Sequence, residues 1–217
     1  MKKIGFSGAH RTGKTTLAKA FAEKHGFAFH ETKVTSTFAQ QSTRAMESMT
    51  GPEGFKARLA QQEMITHHIA KILIYSEPKA VFDRTMLDVY AYTSYYLRQQ
   101  MNTFNHDGRH IEALYRLLGE VVQRMVLQDF TFVIQTGIQY HEDATKASQE
   151  SQQIINDLIV KAAEVYLPAN RYFVMPKEIV SFDERMEVVY DVCKTLKLIK
   201  GKQNDHRTSQ CGQRERP

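Results

Sequence analysis

The chain contains no tryptophan, only two cysteines and only five prolines in 217 residues. Two cysteines cannot build a disulfide framework, and Cys211 lies in a polar C-terminal stretch remote from Cys193. A bridge is not expected, and such cysteine usage suits a reducing cytoplasm. No apolar run approaches the roughly 18–20 residues that a membrane-spanning helix needs. The N-terminus, MKKIGFSG, meets glycine and serine too soon to form the apolar centre of a signal peptide. Metal-binding patterns are equally thin. His67 and His68, with Glu63 four residues before His67, lie on an amphipathic helical segment with no further ligand in sight, so a zinc site is not expected. No internal repeat is visible.

What is present is the balance of a globular domain, with 42% hydrophobic and 24% charged residues. The length suits a single well-buried core. The formal net charge is +5, which favours anionic ligands. Five cations (Lys200, Lys202, Arg207, Arg214 and Arg216) and two acids place +3 of this in residues 200–217, leaving +2 for the body. That body charge is too small to argue nucleic-acid binding. The tail is polar and aperiodic, and reads as a disordered basic segment.

Apolar periodicity sets out the elements. Strands are expected over 3–7, 27–33, 80–83, 130–135 and 171–175. Helices are expected over 14–25, 55–76, 86–101, 110–128, 150–166 and 181–197. The stretch 34–54, ending in TGPEG, reads as a short helix and a turn. Five short strands separated by helices indicate an α/β fold with a mostly parallel sheet and a ligand at the carboxyl ends of its strands.

The strongest local signal is SGAHRTGKTT, residues 7–16, which fits G-x-x-x-x-G-K-[ST] without a mismatch. The residues concerned are Gly8, Ala9, His10, Arg11, Thr12, Gly13, Lys14, Thr15 and Thr16. Such a loop turns backbone N–H groups inward and offers the positive end of the next helix to phosphates. Lys14 reaches the β- and γ-phosphate oxygens, and Thr15 supplies a hydroxyl to Mg²⁺. The pattern follows a strand and opens a helix, as it must. His10 and Arg11 exceed the minimal motif. For Arg11 an acceptor-facing and a solvated position stay open, whereas for His10 the solvated position is favoured.

GFSGAHRTGKTTLAKAFAEKHGF followed by VFDRTMLDVYAYTSYY resembles the P-loop nucleoside and nucleotide kinases. It is most similar to an AAA-like group that includes ribosylnicotinamide kinase domains and phage-encoded nucleotide kinases. The resemblance implies a three-layer α/β fold with a five-stranded parallel sheet ordered 2-3-1-4-5. It also implies ATP and Mg²⁺ as cofactors, and a bacterial or phage-infected cytoplasm. On this reading residues 1–199 are one kinase domain with a lid at 137–150.

FDRTMLD places Asp83 and Arg84 at the end of the third strand, beside the phosphate loop if the sheet order holds. The carboxylate can order Mg²⁺ waters or accept a proton, and the arginine can clamp an acceptor phosphate. In the kinases that the chain resembles, such a pair contacts the acceptor. Asp88 reads first as a helix first-turn acid favoured by the dipole. Glu31 ends the second strand, and Arg44, Lys56 and Arg58 lie where acceptor-binding helices are expected. Tyr92 and Tyr95 could stack on a base, although core packing accounts for at least half of the tyrosines in VYAYTSYY. The lid candidate is HEDATKAS, where the resemblance aligns Glu142, Asp143, Ala144, Thr145 and Lys146 with a pattern that ends in arginine. Lys146 would then be the lid cation, without arginine's two-pronged clamp. Arg171 and Arg185 are the substitutes.

The expected activity is transfer of the ATP γ-phosphate to a small nucleotide-like acceptor, foremost a (deoxy)nucleoside monophosphate. The alternatives are a nucleoside or ribosylnicotinamide acceptor, a hydroxylated base in DNA, and an NTPase with no acceptor. Nucleic acid is not favoured as a partner, no membrane is expected, and oligomeric state is left open, a homodimer included.

Overall fold

A computed structural model describes residues 2–33, 51–103, 108–138 and 148–199. Its five strands are β1 (Lys2–Ser7), β2 (Ala28–His30), β3 (Lys79–Phe82), β4 (Phe130–Val133) and β5 (Tyr172–Val174). They pair in parallel in the order β2-β3-β1-β4-β5, as expected. The six helices among the described residues are α1 (Lys14–His25), α2 (Gly51–Tyr75), α3 (Met86–Thr103), α4 (Gly108–Gln123), α5 (Gln149–Tyr166) and α6 (Phe182–Thr195).

Both faces of the sheet are covered, which is why its strands read as near-continuous apolar runs. Alternate residues point to opposite faces. Ile4, Phe6, Val81, Phe130 and Phe132 join Leu17 and Phe21 of α1 and Val189 of α6 on one side. Ala80, Phe82 and Val133 meet Ile69 and Leu73 of α2, Met86 of α3, and Ile155 and Ile159 of α5 on the other. A smaller cluster of Phe55, Leu97, Leu114 and Leu118 joins α2, α3 and α4. Among the described residues no helix is long and apolar enough to cross a membrane.

Two boundaries differ from the sequence reading. The turn expected at 51–54 is instead the first turn of α2. Proline is tolerated there because the first helical N–H has no intrahelical partner, so Pro52 starts a helix rather than breaking one. Strand β2 stops at His30, and Lys33 adopts a left-handed φ of 46°. Residues 34–50, the central part of the expected lid (139–147) and the 200–217 tail lie outside the described residues.

Candidate active site

The order β3-β1-β4 puts β1 centrally, so its C-terminal loop emerges between the ends of β3 and β4. The loop passes so close to β4 that a Cβ on Gly8 would lie 2.4 Å from the Ile134 carbonyl oxygen. Only glycine fits there. Gly13 caps α1 at φ 79° with no side-chain hydrogen bond to the helix. The first-turn amides of α1 are therefore left to an anion. The Thr12 hydroxyl donates to the Ala9 carbonyl at 3.0 Å and braces the turn.

Lys14 is buried, with Nζ 3.4 Å from the same carbonyl. Burial and the nearby Arg84 guanidinium push its pKa down to about 8, against the pull of Asp88 and Asp83. Burial weighs most, and the repulsion from Arg84 is partly offset by the two carboxylates. Arg84 is half-buried and lies 5.7 Å from the centre of the Tyr92 ring. Ion-pair distances among the described residues include no carboxylate on Arg84.

Asp83 follows β3 and is buried. Its Oδ2 accepts from the Thr15 hydroxyl at 3.3 Å, and its Oδ1 from the Thr32 N–H at 2.9 Å and hydroxyl at 3.1 Å. The His68 ring bonds the Thr32 carbonyl at 3.0 Å, so α2 in turn anchors the chain beyond β2. The expected meeting of Thr15 with Asp83 is present. A hydroxyl beside a carboxylate is a donor set suited to Mg²⁺ and its waters.

Asp88 does more than its helix-dipole position suggested. It does lie in the first turn of α3, accepting from the Thr85 N–H at 2.8 Å. It also accepts from the Ser7 hydroxyl at 2.8 Å and the Gly8 N–H at 3.1 Å. Burial raises its pKa, with Lys14 and Arg84 pulling the other way. Asp88 is the fastener that ties the phosphate loop to α3.

Tyr92 also serves the loop. Its hydroxyl accepts from the His10 N–H at 3.1 Å and lies 3.3 Å from His10 Nδ1. Burial pushes the phenol up to about 12, so it stays protonated. His10 is thus half-buried against Tyr92, not solvated as expected. Its carbonyl accepts from Gln152 Nε2 on α5 at 2.6 Å. The Tyr95 hydroxyl is bonded to Ser151 on α5 at 2.6 Å, a helix-to-helix link.

Other expected residues divide as follows. Arg11 is half-buried in the loop at φ 60°, and Thr16 is exposed on the first turn of α1. Glu31 is exposed just past β2. Arg58 is half-buried on α2, one turn before Gln62, which accepts from Thr93 of α3 at 3.0 Å. Lys56 pairs with Glu53 at 2.8 Å on the exposed face of α2. Arg171 donates to the carbonyls of Val126, Gln128 and Asp129 before β4, at the opposite end of the strands from the loop. It is not available as a lid cation. Arg44, Glu142, Asp143, Ala144, Thr145 and Lys146 lie outside the described residues. Thr32, Gln152 and the loop contact of Arg185 were not anticipated. A hydroxyl residue just after a strand hinted at Thr32, while Gln152 had no sequence signal.

Comparison with known proteins follows this geometry. None of the curated proteins compared with the chain matches it. The deoxyadenosine kinase from M. mycoides, solved with the products dCMP and dCDP, is similar at TM-score 0.62 and 15% identity, covering 89% of this chain and 99% of that one. The NadR protein in complex with NR gives TM-score 0.66 and 14% identity, covering 92% and 51%. Thymidylate kinase from Candida albicans gives 0.56 and 14%, covering 91% and 92%. These likenesses show that the chain shares its fold with these three proteins. A family model described as an AAA domain matches residues 3–163, well over half of the chain, and the protein belongs to that family.

Proposed function

We propose that the protein is a phosphotransferase that moves the γ-phosphoryl group of ATP to a nucleotide-like acceptor, foremost a (deoxy)nucleoside monophosphate. The observation that carries this reading is the nearness of two cations, buried Lys14 and half-buried Arg84, at a glycine loop that opens a helix, a place suited to negative charge on a ligand. Polyphosphate on the loop and a phosphate on the acceptor supply that charge. The neighbouring structures of deoxyadenosine kinase, NadR with NR and thymidylate kinase support nucleoside- or nucleotide-directed chemistry on this fold.

In the proposed reaction an acceptor phosphate oxygen bonds to the γ-phosphorus as the bond from that phosphorus to the β–γ bridging oxygen breaks, and ADP leaves. Loop amides and Lys14 hold the donor phosphates, and Arg84 holds the acceptor phosphate. Thr15 and Asp83 are the residues that would hold Mg²⁺, which neutralises phosphate charge when bound. Lys146 is proposed as the lid cation, within residues 1–199 acting as one domain.

A phosphate acceptor fits better than a hydroxyl acceptor because the latter needs a base. Asp83 and Asp88 each already accept three hydrogen bonds. The test is transfer from γ-labelled ATP with Mg²⁺ to nucleosides, ribo- and deoxynucleoside monophosphates, nicotinamide riboside and duplex DNA. Label on a monophosphate, lost in Lys14→Ala, supports the reading. Label on a nucleoside or on DNA alone replaces the acceptor, and label only in free phosphate overturns transfer.

A further inference from the structure

Arg185, in the first turn of α6, is one of the few buried charged side chains of the protein, at 3% exposure. Its Nη1 donates to the carbonyl of Thr12 at 2.7 Å, and its Nε to the carbonyl of Ile179 at 2.6 Å. Its Nη2 is buried with no hydrogen-bond partner among the described residues. Ion-pair distances among the described residues include no carboxylate on Arg185. The guanidinium lies directly behind Gly13, where a Cβ would sit 3.7 Å from Nη1 and 3.1 Å from Ile138 Cδ1. A buried charge is ordinarily paired, and a buried donor ordinarily bonded, because leaving either alone is costly. Here a positive charge is retained behind the phosphate loop, and among the described residues its hydrogen-bond acceptors are the Thr12 and Ile179 carbonyls.

We propose that Arg185 is a positioning residue for the donor phosphates. It fixes the Thr12–Gly13 corner from behind, through the Thr12 carbonyl, so that the neighbouring amides stay aimed at the ligand. Its uncompensated charge adds to those of Lys14 and Arg84 in the field that the polyphosphate neutralises. The proposal rests on the reading of this loop as a donor-phosphate site, and it is independent of which acceptor is used.

The test is calorimetric titration of the full chain with Mg²⁺–tripolyphosphate and with Mg²⁺–ATP, using the unaltered protein, Arg185→Met and Arg185→Lys. Tripolyphosphate carries the phosphates without base or ribose. The expected result is that Arg185→Met weakens both ligands by the same factor, tenfold or more. Arg185→Lys, which keeps the charge and one donor, should lose severalfold less. In transfer assays the donor KM should rise with the binding loss, while kcat at saturating donor stays within about threefold and the acceptor KM within about twofold. A merely structural role would lower Tm but leave the affinity of the folded molecules unchanged. Tripolyphosphate affinity within twofold of the unaltered protein in Arg185→Met overturns the proposal. If that variant does not fold, Arg185→Gln takes its place, and tripolyphosphate affinity within twofold of the unaltered protein overturns the proposal. Unaltered protein that binds neither ligand overturns the donor-phosphate reading and the proposal together.

Discussion

Replacing Lys14 by methionine should make the ligand-free protein more stable while abolishing its response to nucleotide. The side chain is buried, and its pKa falls from 10.5 to about 8, chiefly through burial and then through Arg84. At 1.36 kcal/mol for each tenfold change, that fall corresponds to about 3 kcal/mol by which the folded state disfavours the charged amine. The figure is an upper bound for the gain, because the Nζ contact to the Ala9 carbonyl is lost as well. Methionine nearly conserves the volume, so no large cavity opens.

The sign follows from linkage. The folded pKa lies below the unfolded one, so the penalty is fully present below pH 8 and relaxes as pH rises toward 10.5. The advantage of Lys14→Met should therefore be at most about 3 kcal/mol at pH 7 and at most about 1.4 kcal/mol at pH 9.5. For a chain of this size about 3 kcal/mol corresponds to a rise in Tm of about 6–12 °C. The assay is thermal melting of both proteins at pH 7, 8, 9 and 9.5, with and without Mg²⁺–ADP. The unaltered protein should gain Tm with ligand by mass action, and the variant should not. A variant that melts at or below the unaltered protein at pH 7, or a difference that does not shrink with pH, refutes the reasoning.

Two further outcomes follow from the same geometry. Asp88→Ala strips the Ser7 hydroxyl and the Gly8 and Thr85 N–H groups of their buried acceptor. At about 1–3 kcal/mol for each stranded donor it should cost about 3 kcal/mol or more, read by urea unfolding, together with a large loss of donor affinity. Tyr92→Phe keeps the ring against Arg84 but removes the acceptor for the His10 N–H. It should cost about 1 kcal/mol of stability and raise donor KM severalfold, which melting and steady-state kinetics would check.

The fold was legible because its signals are local. Strands β1, β3 and β4 are apolar runs bounded by polar residues, and α1 and α5 carry regular stripes that end close to where periodicity placed them. The phosphate loop and its meeting with Asp83 were legible too, since a motif fixes the first and sheet order fixes the second. What escaped was the outer support of the loop. Asp88 fills a position that the helix dipole already favours, so its reach to Ser7 and Gly8 carried no extra mark in the sequence. Gln152 and Arg185 sit on ordinary amphipathic helices, and only tertiary packing brings their side chains to the carbonyls of His10 and Thr12. His10 was misjudged for the same reason, because the partner that covers it, Tyr92, is 82 positions away.

The separations of these contacts bear on how the protein is born. The loop directly follows β1, yet its fasteners lie 80 to 173 positions later, on α3, α5 and α6. Closing such long intervals carries an entropic cost that early synthesis cannot offset. A nascent chain that has emerged only through α4 displays the whole loop motif with its Asp83, Asp88 and Tyr92 ties but without those from Gln152 and Arg185. On the proposed reading, a firm hold on donor phosphates is thereby deferred until α5 and α6 have docked against the loop.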